Sequence, residues 1–106
     1  MSTTDDRIDT ISYVMSEHPQ PCFTADDIAE VVRFAVVGGD WAEEDLMAIV
    51  RLEDGRFVAM EGACDTTGWD CQAHLDATLH DTVEDAWMNG LTQDARAAIE
   101  REEQSA

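Results

Sequence analysis

Asp54-Gly55 is the feature that most narrows what this chain can fold into. It separates two runs, residues 45–53 and 56–64, in which side chains alternate in character. A DG dipeptide between such runs is the pair that a tight β-hairpin turn prefers, because both residues accept positive φ at little steric cost. A two-residue type I′ turn pairs Glu53 with Arg56. The register then sets Leu52 opposite Phe57, Val50 opposite Ala59 and Leu46 opposite Ala63 on a core face. The other face carries Met47, Ile49, Val58 and Met60 with Arg51. That is too apolar for open water, so a helix of this chain or a partner is expected to cover it.

Flanking elements follow from periodicity and capping. Ile8, Ile11, Val14 and Met15 fall at helical spacing between Thr4 and Ser16, and Pro19 and Pro21 stop that segment. Thr24 reads as an N-cap, with Asp27 at the third helical position and Phe23 and Ile28 placed as a hydrophobic staple. A second helix is therefore expected over 25–37, with Ile28, Val31, Val32 and Ala35 as its stripe. The β-branched run from Val31 to Val37 suits a strand as well, but the caps favour the helix. Beyond the hairpin, Ala73, Leu75, Ala77 and Leu79 alternate with polar residues, which predicts a third strand. Asp81 and Glu84 then open a helix through Val83, Ala86 and Trp87 that Asn89-Gly90 closes, and Thr92 caps a last one through Ala95, Ala98 and Ile99.

The expected fold is α+β, a three-stranded antiparallel sheet with helices packed on it in the order α-α-β-β-β-α-α. At 106 residues and 44% hydrophobic, residues 1–106 fit one small domain, with termini frayed over 1–4 and 101–106. The longest apolar run, Phe34 to Val37, is far too short for a membrane span, and the first residues are acidic where a signal peptide is basic. These features predict a cytoplasmic protein with reduced thiols at Cys22, Cys64 and Cys71.

Function is constrained chiefly by charge. The net charge is −18, from 24 acidic residues against six arginines and no lysine. Such a surface repels nucleic acid and anionic membranes and attracts basic proteins, including those whose grooves hold nucleic acid. On the expected second helix, Asp26, Asp27 and Glu30 face outward, and Asp40, Glu43, Glu44 and Asp45 extend the same acidic patch. Trp41 and Trp69, each beside an aspartate, are the candidate apolar anchors for a partner. These nine residues are the predicted partner-binding set.

The segment Gly62 to Gln72 stands apart from scaffold. Cys64, Cys71 and His74 are spaced C-x6-C-x2-H, donors that zinc accepts, although the spacing is not a standard finger pattern and a fourth ligand is lacking. Zinc is thus the one weak cofactor candidate, and the cysteines are free, metal-bound or disulfide-linked on this reading. No residue stands out as catalytic. Cys64-Asp65 and Thr67 to Gln72, following the DGR turn, resemble small uncharacterised proteins of actinobacteria and their phages that carry a C-D-x-T-G-W-D-C-Q segment. The resemblance runs from Leu52 to about Ile99 and implies a phage or host-cytoplasm setting without an activity.

The expected function is a non-enzymatic acidic interaction module, phage-associated, acting as a nucleic-acid mimic against a basic nucleic-acid-binding protein. Two alternatives stand beside it. One is a small metal- or thiol-dependent enzyme built on the Cys64 to His74 loop; the other is a housekeeping domain whose acidity is only compositional.

Overall fold

The computed structural model describes residues 6–38, 43–65, 68, 69 and 73–105. It is an α+β fold: α1 (Asp6–Glu17), a single 3-10 turn (Ala25–Asp27), β1 (Ile28–Gly38), β2 (Glu44–Leu52), β3 (Phe57–Cys64), β4 (Ala73–His80), α2 (Val83–Gly90) and α3 (Gln93–Ser105). The strands form one antiparallel sheet in the order β1-β2-β3-β4. Among the described residues the sheet therefore has four strands rather than the expected three, and the second helix is replaced by β1.

The capping residues before β1 are used, but they close only one turn. Thr24 N–H donates to the Asp27 carboxylate at 2.8 Å, and Asp27 N–H returns to the Thr24 carbonyl at 3.0 Å. Beyond that turn the β-branched run goes into the sheet. Register shifts between Ile28 and Glu30 and between Val31 and Arg33 each insert an extra residue into β1. Strict alternation is thereby stretched, so that Ile28, Val31, Phe34 and Val36 share one face. A doubly bulged strand imitates helical spacing, and the helix expected over 25–37 is corrected accordingly.

The hairpin lies where Asp54-Gly55 sets it, with a different turn. Leu52 N–H donates to the Arg56 carbonyl at 2.8 Å, and Gly55 N–H donates to the Leu52 carbonyl at 2.9 Å. The loop is thus three residues, Glu53-Asp54-Gly55, with Gly55 at φ 92 in the position that a three-residue hairpin loop reserves for glycine. Arg51 pairs with Phe57, Val50 with Val58 and Ile49 with Ala59. That is one residue away from the expected register, and one residue turns β3 over. Val58 and Met60 join Leu46, Val50 and Leu52, whereas Phe57 and Ala59 join Met47 and Ile49.

Both faces of the sheet are covered by helices of this chain. Ile11, Val14 and Met15 of α1, with Phe23, close the first face over Val31, Leu46, Val50, Val58 and Met60. Ala86 of α2, Leu91 just beyond it, and Ala95, Ala98 and Ile99 of α3 close the second over Ala35, Met47, Ile49 and Ala59. The apolar second face is therefore answered by the chain itself. Leu46, Ile49, Val50, Val58, Met60, Ile11 and Ile99 are under 2% exposed, and burial of each such side chain stabilises by about 1.5–3 kcal/mol. Thr82 caps α2 by accepting from Asp85 N–H, so the capping pair is Thr82 and Asp85 rather than Asp81 and Glu84. Thr92 caps α3 through Ala95 N–H, and Glu61 of β3 accepts from both Thr92 N–H and its hydroxyl, which pins that helix to the sheet centre. Among the described residues no helix is long and apolar enough to cross a membrane.

Candidate functional site

Because residues 28–38 run the length of the sheet, the expected acidic patch divides. Asp26 and Asp27 lie at the hairpin end, where Glu53 N–H donates to the Asp27 carbonyl at 2.8 Å. Glu43, Glu44 and Asp45 lie at the opposite end of β2, about 26 Å away at about 3.3 Å per residue. Asp40 and Trp41 fall outside the described residues. Glu30 belongs to neither end: its carboxylate accepts from Arg51 Nε at 2.7 Å across the β1–β2 ladder.

The hairpin end gathers acids from three distant stretches. Asp27 meets Glu53 and Asp54 of the turn, and Asp81, just past β4, is near enough to act electrostatically on Arg56. Arg56 is the turn's own cation and is held by Asp54, with Nη2 at 2.7 Å and Nε at 2.9 Å. That hydrogen bond holds the Asp54 carboxyl below its usual range.

At the other end Trp69 departs from expectation. It is 6% exposed and packs with the α1-side core, so it is not an open anchor for a partner. Its indole N–H donates to Glu44 Oε1 at 2.8 Å, its carbonyl meets His18 Nε2 at 2.9 Å, and the His18 ring stands edge-on to the indole. Glu44 is consequently half-buried and committed to Trp69. Glu43 and Asp45 remain exposed.

The cysteine–histidine set is not assembled among the described residues. Cys71 lies outside them. Cys64 pairs with Ala73, and His74 pairs with Ala63, so Cys64 points to the α1 face and His74 to the α2–α3 face. Burial pushes the Cys64 thiol above its usual range, and the nearby carboxylates of Glu44, Asp65 and Asp45 push it further. Such a thiol is a poor nucleophile. Cys22 is exposed.

One polar chain escapes a reading of the sequence. Thr78 Oγ1 meets His80 Nε2 at 2.7 Å, and His80 Nδ1 meets Asp85 Oδ2 at 2.5 Å. Asn89 adds a bond to the other Asp85 oxygen. The His80 bond, then the Asn89 bond, holds the Asp85 carboxyl below its usual range. Both ring nitrogens of His80 are engaged, so the group joins β4 to α2. Its sequence signal is a histidine and an aspartate straddling the Thr82 cap, five residues apart.

Four of the arginines are folded onto the protein. Arg33 makes two bonds to Glu103, at 2.7 and 2.8 Å, and lies 4.2 Å over the Trp87 ring. Arg51 holds Glu30, Arg56 holds Asp54, and Arg96 Nη1 donates to the Leu91 carbonyl at 2.7 Å, just beyond α2. No charged residue among those described is buried. Comparison with protein-family models, curated proteins and solved structures gives no match to this chain.

Proposed function

We propose that this protein is a non-enzymatic acidic interaction module, phage-associated and cytoplasmic, that binds a basic protein partner by offering carboxylates where that partner normally holds nucleic-acid phosphates. The observation that carries this reading is the disposition of charge. The described carboxylates all reach solvent, while Arg33, Arg51, Arg56 and Arg96 are tied down internally and do not offset the excess elsewhere. Both apolar faces of the sheet are closed by its own helices, so charge is the chief property left for recognition. A thiol enzyme on Cys64 is the weaker alternative, since the group is buried and its deprotonation disfavoured.

Capture from host lysate at low and at high salt tests the proposal. Captured proteins should be nucleic-acid-binding, should release steeply as salt rises, and should be displaced by duplex DNA. Retention that ignores both salt and DNA would instead favour acidity as mere composition.

A further inference from the structure

The two faces of the sheet end differently at the Glu43–Asp45 end. On the α1 face the last row is sealed by Trp69. On the α2–α3 face the last row, Val37, Asp45, Ala63 and His74, runs across all four strands, and the N-terminal half of α3 passes beside it without covering it. A groove of about 350 Å³ results. Its lining is alkyl, from Val37 and Ala63 of the row and Ala95 and Ala98 of α3, while Asp45 of β2 and Asp94 of α3 supply carboxylates and Glu61 of β3, held by Thr92, adds a third negative charge.

We infer that this groove receives an arginine side chain of the basic partner. The inference rests on the proposed acidic recognition and names where and what it recognises. An arginine stem needs an alkyl surface for its methylenes, and its planar guanidinium offers five donors that can address carboxylates on separate walls, which a lysine ammonium does less well. Three carboxylates against one cation of its own, Arg101, leave the groove net negative and complementary to such a guest. His74 is the remaining titratable group on the lining. The small residues at Ala63, Ala95 and Ala98 are what keep the space open.

An arginine hexapeptide, titrated at low salt and followed by amide NMR shifts, tests this. Shifts should concentrate at Val37, Ala63 and Ala98, and a lysine hexapeptide should bind less tightly. Ala63→Leu fills the groove without altering net charge and should weaken binding about tenfold. Arg101→Gln removes the competing cation and should tighten it by about two- to fivefold, and Asp45→Asn should weaken it by a similar factor. Unchanged melting temperatures would confirm that each variant is folded. Binding that maps to Asp27, Glu53 and Asp81 and ignores Ala63→Leu would overturn the groove while leaving acidic recognition intact. Absence of peptide binding would also overturn the groove, and the salt-sensitive capture would then decide the broader reading separately.

Discussion

Two glycines and one aspartate control local energetics in separable ways. Gly55 sits at φ 92 with nothing within 4 Å of an added Cβ, so a side chain there meets backbone strain and no clash. Gly55→Val should lower stability by about 1 kcal/mol or more, while Gly55→Asn should cost less, as read by chemical denaturation. Gly90 is the reverse case. Alanine is the better helix former, but its Cβ would stand 2.4 Å from Ala59 Cβ and 2.7 Å from His80 Nε2. Gly90→Ala should destabilise by about 1–3 kcal/mol, and Ala59→Gly in the same chain should recover part of that. Asp85 is held below its usual range by His80 and Asn89, so its contribution is present above the unfolded carboxyl's value of 3.8 and is lost as pH falls through the lower folded value. Melting curves between pH 5 and 2 should show a shallower acid loss in Asp85→Asn than in the parent.

Among elements, what was legible depended on how local its signal is. The β2 and β3 runs, the alternation of β4, the stripe of α1 and the Thr92 cap of α3 each lie within a few residues, and each is found where its pattern placed it, whereas the cap of α2 falls one residue later than expected, at Thr82. Register was not legible, because DG serves both a two-residue I′ turn and the last two positions of a three-residue loop. The choice of turn decides which face Val58 and Met60 join. β1 was hidden by its two bulges, which put Ile28, Val31 and Phe34 three apart. Bulges also bend and twist an edge strand, which guards β1 against pairing with other chains. Deleting Val32 should remove the second bulge and restore a two-residue period past Val31, with Phe34 still opposite Ala48 and Val36 still opposite Leu46 on the α1-side face. The loss should be confined to the half-buried Val32 side chain, at most about 1.5–3 kcal/mol, and a fall in melting temperature as large as displacing Phe34 and Val36 as well would count against the bulge.

For the molecule as a whole, the sequence announced how much charge there is but not where it gathers. The hairpin-end cluster exists only because β1 is a strand, which brings Asp27 beside Glu53. The opposite end loses Trp69 as an anchor because its indole reaches Glu44 from 25 residues away, a partnership no spacing reveals. Two of the acids singled out are thus occupied, Glu30 by Arg51 and Glu44 by Trp69, and Glu43 and Asp45 are the free carboxylates of their end among those named. Recognition by placed charge, rather than by total charge, is best tested by the affinity of the captured basic partner for two doubly neutralised variants across a salt series. Glu43→Gln with Asp45→Asn removes the same charge as Glu100→Gln with Glu102→Gln, and all four residues are exposed. The first pair should reduce affinity well beyond the second and flatten the slope of log K against log salt; equal losses would contradict placed charge and leave net charge alone as the cause.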